Sequence, residues 1–189
     1  MNNIAILASG SGSNAENIAL YFKDNLDVKI SLIATENPSA FVIDRAKKLN
    51  IEWKIFTMEE LKNGSLLNML KSLNIDFIVL AGFLKLIPEN LISAYANRII
   101  NIHPALLPEY GGKGMYGNKV HEAVIANKES ESGITIHYVN SKYDEGGIIF
   151  QAKCAITPKD NAETLAQKVH SLEYEYYPKV IESLVAKHL

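Results

Sequence analysis

The chain has 189 residues, of which 48% are apolar and 21% charged, and its formal net charge at pH 7 is −2. This balance is ordinary for a globular protein, and the length suits one domain with a substantial core, so we expect a single domain over residues 1–189. The sequence contains no basic cluster typical of a nucleic-acid-binding face and no long apolar stretch typical of a membrane span or secretory leader. The lone cysteine, Cys154, excludes an internal disulfide. A cytoplasmic location is the simplest expectation.

Short apolar runs alternate with segments of helical periodicity along the first half of the chain. The predicted strands are residues 4–8, 28–34, 53–56 and 76–81, and a run at 95–100 that leads into Asn101. The predicted helices are residues 14–23, 41–49 and 88–95, together with one that starts after Thr57 and runs to residue 73. Thr57 and Glu60 have the spacing of a capping box, which predicts the start of that helix.

After Pro108 the pattern changes. A glycine-rich loop and a helix at 118–126 precede two strands at 133–139 and 147–156, whose short connection favours antiparallel pairing. A long helix runs from residue 161 to the C-terminus, and Pro178 in its middle predicts a kink or a division in two. The alternation before Pro108 predicts right-handed crossovers in a doubly wound sheet. The expected fold class is α/β, with a mostly parallel sheet, an antiparallel C-terminal strand pair and a long C-terminal helix.

The loop between the first strand and the first helix reads Ser9-Gly10-Ser11-Gly12-Ser13-Asn14. Its glycines allow a ligand to approach the backbone, and the helix N-terminus beyond offers free N–H groups and the positive end of a dipole. The serines and Asn14 add side-chain donors suited to a terminal monophosphate. Alternatively, Gly10-x-Gly12-x-x-Ala15 matches a relaxed dinucleotide fingerprint, with Glu36 spaced to hold a ribose. A tight turn without a ligand is the third interpretation.

The segment from Asn101 to Pro108 carries the main chemical signal. Asn101 and His103 are two residues apart, so on an extended backbone their side chains project from the same face. An amide donor beside an imidazole can hold a carbonyl oxygen as it gains negative charge. Further along, Asp144 in a glycine-flanked loop offers a carboxylate to orient or charge the imidazole. The structural alternative is a buried Asn and His whose polar atoms are satisfied at a strand end.

The Asn-x-His-Pro-x-Leu-Leu-Pro element followed by the Asp-x-Gly-Gly loop resembles the folate-dependent formyltransferases, over essentially the whole chain. The resemblance implies a Rossmann-like formyltransferase fold and catalysis by Asn101, His103 and Asp144. No metal is expected, because His103, His121, His137 and Asp144 do not have a recognised metal-ligand spacing. Methionyl-tRNA formyltransferases and formyltetrahydrofolate deformylases share this element, so it indicates the chemistry better than the acceptor. The loop between the first strand and the first helix, with its features of a phosphate site, favours the members that formylate glycinamide ribonucleotide in purine biosynthesis. The implied partners are therefore this ribonucleotide and the co-substrate 10-formyltetrahydrofolate, without nucleic acid or membrane.

The resemblance also assigns supporting positions. It implies that the substrate phosphate is held by Gly12, Ser13 and Asn14. It implies that His137 and Thr135 support the catalytic trio and that Glu173 contacts the amine end of the substrate, although a solvated helix carboxylate is the alternative for Glu173. The residues it assigns to the folate pocket are Leu84, Lys85, Leu86, Ile87, Asn140, Ser141, Lys142 and Tyr143. Core packing is the alternative interpretation of the first four.

The loop at residues 110–117 departs from the family pattern. Its glycines predict a mobile lid, and Lys113 could reach an anionic ligand. The family's arginine for the folate tail has no clear counterpart, and Lys62 is a candidate substitute. Two rival functions stay open: a nicotinamide-dependent dehydrogenase that uses the glycine loop for pyrophosphate, and a catalytically inactive protein that binds folate or nucleotide.

Overall fold

The computed structural model describes residues 1–186, which form a seven-stranded sheet with helices on both faces. The strands are β1 (Asn2–Leu7), β2 (Val28–Thr35), β3 (Trp53–Ile55), β4 (Phe77–Leu80), β5 (Ile99–His103), β6 (Glu131–Tyr138) and β7 (Ile148–Ala155). The helices are α1 (Ser13–Tyr21), α2 (Val42–Lys48), α3 (Met58–Asn63), α4 (Ser65–Ser72), α5 (Glu89–Ala94), α6 (Asn118–Ala126) and α7 (Ala162–Ala186).

The strand order is β3-β2-β1-β4-β5-β6-β7, and the strands are parallel from β3 to β5. The remaining two strands, β6 and β7, are antiparallel to their neighbours. The predicted α/β class, with parallel pairing up to the Asn101 strand and antiparallel pairing after it, is therefore confirmed. Because β1 lies between β2 and β4, the chain reverses its direction of winding there. Such a switch point opens a crevice at the carboxyl ends of the strands, where α/β proteins place ligands.

The sheet is buried on both faces, as the continuous apolar character of its central strands predicts. In β1, Ile4 and Ile6 pack with α1, α2, α6 and α7 on one face. Ala5 and Leu7 alternate with them and pack with α3, α4 and α5 on the other face. All four side chains are fully buried, so β1 anchors the loop that follows it from both sides.

Two element boundaries differ from the sequence-based expectation by more than two residues. The capping box of Thr57 and Glu60 is present, but the helix stops at Asn63 because Gly64 has a φ of 92° and cannot continue a right-handed helix. A separate helix, α4, begins at Ser65. The fifth strand begins at Ile99 rather than at residue 95, because the chain first turns through Asn97 with a φ of 57°.

The predicted division of the last helix at Pro178 is wrong, since α7 runs unbroken from Ala162 to Ala186; residues 187–189 lie outside the described part of the chain. A proline cannot donate to the carbonyl four residues before it, here that of Tyr174. The side-chain amide of Asn17 on α1 donates to this carbonyl instead, at 3.0 Å. The Tyr177 hydroxyl also donates to the Leu80 carbonyl at 2.9 Å, which ties the same turn to the sheet.

Within residues 1–186, no helix is long and apolar enough to cross a membrane.

Candidate active site

A cavity of about 730 Å³ opens at the carboxyl ends of β1, β4 and β5. Its lining residues are Gly10–Asn14, Ala81–Lys85, Asn101–Pro104, Gly112–Asn118, His121, Tyr143, Asp144, Ala166, His170 and Glu173. The glycine loop, defined as residues 10–14, therefore shares one cavity with Asn101, His103 and Asp144. Lys113 also lines it.

The glycine loop depends on Gly12 for both its conformation and its packing. Gly12 has a φ of 72°, which side-chain-bearing residues rarely adopt, and a Cβ there would lie 2.3 Å from Cγ2 of Val42 on α2. The loop therefore lies directly against α2 and leads into the N-terminus of α1, where backbone N–H groups lack helical partners.

Asn14 and Glu173 connect the loop to the last helix. The Asn14 side-chain amide donates to Glu173 Oε2 at 2.9 Å, so one of the two N–H groups that the sequence offered to a phosphate is engaged by the protein. Asn14 Oδ1 is buried and has no hydrogen-bond partner within the described residues. Glu173 is only 5% exposed, which rules out a solvated helix carboxylate.

His170 shares the same carboxylate oxygen. Its Nδ1 lies 2.8 Å from Glu173 Oε2, and this hydrogen bond raises the pKa of His170 against the opposing effect of burial. His121, on α6, faces the same cavity without a hydrogen-bond partner for Nδ1 among residues 1–186, and burial lowers its pKa. Neither histidine was singled out from the sequence, because each sits on a helix with ordinary amphipathic spacing.

Asn101 is held by a neighbouring strand. Register pairs Asn101 on β5 with His137 on β6, and Asn101 Nδ2 lies 3.1 Å from His137 Nε2. His137 Nδ1 donates to the Tyr138 carbonyl at 2.8 Å, which leaves Nε2 to accept from Asn101. Asn101 Nδ2 also lies 3.4 Å from Asp144 Oδ1. These two acceptors are 3.6 Å apart, so one N–H of Asn101 can serve both and the second can serve a ligand.

The His103 ring lies between two oxygens. Its Nε2 is 2.8 Å from the Tyr110 carbonyl, and its Nδ1 is 3.5 Å from Asp144 Oδ2. Burial lowers the pKa of His103, and the Asp144 charge and the Tyr110 carbonyl offset this only in part. The expected imidazolium is therefore disfavoured at neutral pH in this structure, even though only the doubly protonated ring can donate to both oxygens.

Asp144 is fixed by its backbone and by a main-chain donor. It has a φ of 57°, and the Gly112 N–H donates to its Oδ2 at 2.9 Å. Burial raises the pKa of the Asp144 carboxyl, but the His137 ring, the charge of His103 and the Gly112 N–H together lower it below its ordinary value. The carboxylate is therefore ionised at neutral pH.

Thr135 is paired with His103 across β5 and β6, and its side chain forms hydrogen bonds with the loop after His103. Its Oγ1 donates to the Ala105 carbonyl at 2.7 Å and accepts from the Leu107 N–H at 2.9 Å. Gln151 on β7 donates both to Thr135 Oγ1, at 2.9 Å, and to the Leu107 carbonyl, at 3.0 Å. Thr135 thus fixes the segment that follows β5. The sequence gave no indication that Gln151 contributes to this contact.

The residues predicted to bind folate separate into two groups. Leu84, Lys85 and Tyr143 line the cavity, and the Leu84 N–H donates to Ser9 Oγ at 3.0 Å. The structure does not bring the remaining five to its wall: Leu86, Ile87, Asn140, Ser141 and Lys142. Ile87 packs in the core with α5, which matches the core-packing alternative for this position.

Two other candidates lie away from the cavity. Glu36, the expected ribose ligand of a dinucleotide site, does not line it, and its Oε1 lies 3.8 Å from Lys85 Nζ. Lys62 borders a separate surface depression on α3. Within residues 1–186, no group of three or more His, Cys, Asp or Glu side chains is placed to hold a metal ion.

Comparison with known proteins identifies the family. A family model described as formyl transferase matches residues 2–181. The chain belongs to the formyl transferase family. Among curated members, the phosphoribosylglycinamide formyltransferase of Bacillus subtilis is 36% identical and is matched over 98% of this chain and 95% of its own. The chloroplastic enzyme of that name from Arabidopsis thaliana is also 36% identical, over 98% of this chain.

The chain spans 66% of the length of the Arabidopsis relative and 62% of that from Vigna unguiculata. The formyl transferase fold is shared by solved structures. The phosphoribosylglycinamide formyltransferase of Bacillus halodurans superimposes with a TM-score of 0.89, at 36% identity, covering 100% of this chain and 97% of its own. That of Streptococcus pneumoniae gives a TM-score of 0.85 at 33% identity, covering 97% and 99%.

Proposed function

We propose that the protein transfers a formyl group from 10-formyltetrahydrofolate to the amine of glycinamide ribonucleotide, a step of purine biosynthesis. The observation that carries the proposal is one cavity in which the glycine loop and Glu173 meet Asn101, His103 and Asp144. The names of the similar formyl transferases support the same acceptor.

The acceptor would lie between the glycine loop and α7. Its phosphate suits the backbone N–H groups of Gly12, Ser13 and Asn14 at the N-terminus of α1. Its amine end suits Glu173, whose buried carboxylate Oε2 is already held by Asn14 and His170. Fixing both ends of the ribonucleotide would hold the nucleophile at a defined distance from the catalytic trio.

The folate would lie along the segment after β4, and it supplies the formyl group. Leu84 keeps 41% of its surface exposed at the cavity wall, an apolar area that a flat ring would cover. Lys85 and Tyr143 also line the cavity. Of the eight residues that the resemblance assigned to the folate pocket, only these three line the cavity.

In the proposed reaction the amine nitrogen forms a bond to the formyl carbon, and the bond from that carbon to the folate nitrogen breaks. Negative charge develops on the formyl oxygen. The second N–H of Asn101 donates to this oxygen. The negative charge on the oxygen favours the protonated form of His103, whose two N–H groups can donate to the Tyr110 carbonyl and to Asp144. Asp144 accepts the proton lost by the amine, directly or through water, and the departing folate nitrogen takes one up.

Replacing Asn101 or His103 by Ala tests the catalytic roles. Each variant should lose about 10²–10³ in kcat, because Asn101→Ala removes the preorganised donor to the developing oxyanion and His103→Ala removes the positive charge that stabilises it. The KM values should change little, since the phosphate and folate walls stay intact. The double variant should lose less than the product of the two effects. Lys153→Met, an exposed residue of β7 paired with Glu131, is the control. A His103→Ala enzyme of near-normal turnover would refute the mechanism.

The acceptor is tested by measuring tetrahydrofolate release with glycinamide ribonucleotide against other amines. We expect turnover with glycinamide ribonucleotide and none with the other amines. Binding of both ligands without turnover would favour the inactive binding protein instead. Tight binding of a nicotinamide dinucleotide would favour the dehydrogenase, which the position of Glu36 away from the cavity already argues against.

A further inference from the structure

Arg45 lies on α2 and supports the glycine loop from the side opposite the cavity. Its Nε donates to the Ser11 carbonyl at 2.8 Å. Its guanidinium also pairs with Glu16 in the first turn of α1 and lies 5.1 Å from the centre of the Phe41 ring. The side chain is only 23% exposed and does not line the cavity. Arg45 therefore joins α1, α2 and the loop between strand and helix without reaching any ligand.

α2 binds two successive carbonyls of this loop. The Val42 N–H donates to the Gly10 carbonyl at 3.1 Å, and Arg45 binds the next carbonyl, that of Ser11. In a planar trans peptide the C=O and the N–H point in opposite directions. Holding both carbonyls against α2 therefore turns the N–H groups of Ser11 and Gly12 away from it. Ser11 and Gly12 line the cavity, whereas no residue of α2 does.

Successive N–H groups on one side of a loop form a concavity that binds anions. If the Ser11 peptide rotated, its carbonyl oxygen would face the anion in place of the Gly12 N–H. A second observation indicates that a ligand belongs beside this loop: the cavity-lining Asn14 is buried with an unpartnered Oδ1, an acceptor suited to a hydroxyl or N–H group of the phosphate-bearing ligand rather than to the phosphate itself.

We propose that Arg45 is a positioning residue for the substrate phosphate: by binding the Ser11 carbonyl it keeps the Gly12 N–H directed at the anion. This role rests on the proposed function, which places a ribonucleotide phosphate at the glycine loop. Arg45 acts through the loop backbone and not as a direct ligand. A lysine keeps the positive charge but not the planar fork, so it cannot hold the Ser11 carbonyl and Glu16 together.

The direct test is an NMR titration of the folded protein with inorganic phosphate, following the backbone amides of Ser11, Gly12 and Ser13. In the wild type these resonances should shift saturably. Arg45→Met, which keeps the length of the side chain over Phe41, should bind phosphate about tenfold more weakly or worse, because a charge-assisted hydrogen bond is lost. Arg45→Lys should fall between the two. Lys47→Met, an exposed position on the same helix, is the matched control and should bind like the wild type.

Kinetics provide a readout that general damage would not reproduce. In Arg45→Met the KM for glycinamide ribonucleotide should rise by the same factor, whereas kcat and the KM for the formyl folate should stay near wild type. Glycinamide riboside, which lacks the phosphate, should be a poor acceptor, and its rate of reaction should be the same with the wild type and with Arg45→Met. Thermal melts establish that each variant is folded; if Arg45→Met is not, Arg45→Lys decides.

A folded Arg45→Met protein with wild-type phosphate affinity would overturn the role of Arg45 alone. Full wild-type affinity in Arg45→Lys would also overturn it, since charge without the carbonyl contact would then suffice. If the wild-type loop amides did not respond to phosphate at all, the phosphate site of the proposed function would fail together with this role.

Discussion

At the scale of single residues, Asp144 is the point on which the candidate catalytic group converges. Its carboxylate lies within 3.6 Å of polar atoms of Asn101, His103 and His137 and accepts the Gly112 N–H. One side chain thus orients the amide and supplies the charge beside the imidazole. Through the backbone N–H of Gly112, the loop at residues 110–117 takes part in this arrangement.

Asp144→Asn should lower the pKa of His103 further, because the charge that raises it is removed while burial remains. Turnover should fall by about 10²–10⁴, the usual contribution of a positioned acid or base. Asn tolerates the left-handed backbone of this position, so the fold should persist. An NMR titration of the His103 ring, combined with kcat, measures both effects. An unchanged His103 pKa would contradict the contact with Asp144.

His170 gives a prediction for stability against pH. Its pKa is raised in the folded protein by Glu173, so it stabilises the fold below the ordinary histidine pKa and loses that contribution as pH rises through the raised value. His170→Gln should therefore cost more unfolding free energy at pH 5.5 than at pH 9, by about 0.5 kcal/mol, since the imidazole is half-exposed and solvent screens the pair. Urea unfolding at the two pH values is the measurement. A difference that did not vary with pH would show that the ion pair adds nothing.

At the scale of elements, the continuity of α7 through Pro178 depends on α1. The Tyr174 carbonyl that the proline leaves without a helical donor is taken by Asn17. The contact joins residues far apart in sequence, which is why Pro178 in the sequence of the last helix predicted a kink or a division.

Asn17→Ala should destabilise the wild type by about 1 kcal/mol, the net value of a typical hydrogen bond. In a Pro178→Ala background the same substitution should cost less, because residue 178 then donates to the Tyr174 carbonyl itself. A double-mutant cycle of urea unfolding free energies measures the difference. Additive effects of the two substitutions would contradict this account of the unbroken helix.

The sequence predicted elements better than the contacts between them. The two-residue spacing of Asn101 and His103 was sufficient to place both at one cavity, and the Thr57 capping box was correct. Gly64 was not recognised as a helix stop, because a single glycine within a helical pattern is often tolerated. The bond from His103 to the Tyr110 carbonyl, and the bond from Asn14 to Glu173, have no signature in residue types or spacing. They depend on tertiary packing alone.

At the scale of the whole molecule, the cavity is assembled from segments between Gly10 and Glu173, so it exists only in the folded chain. A ligand that binds this cavity should therefore stabilise the fold by mass action. Glycinamide ribonucleotide at a hundred times its Kd should raise the unfolding free energy by about 2.7 kcal/mol. Urea unfolding with and without ligand tests this, and glycinamide without the ribose phosphate is the control. An equal rise with the control compound would argue against recognition of the phosphate.

The Asn14–Glu173 hydrogen bond joins two helices along one wall of the cavity, and the other wall is built differently. The wall proposed for the acceptor is carried by α1 and α7, whereas Asn101 and His137 are carried by the paired strands β5 and β6. Substitutions of the cavity-facing side chains of the two helices can thus reshape the space beside Glu173 while the contacts of Tyr177 with the sheet are kept. A protein engineer seeking a new amine acceptor has one wall to redesign and another to leave untouched. We expect divergence within this scaffold to change the acceptor through substitutions on the helices, while the residues of the transfer reaction on the strands are retained.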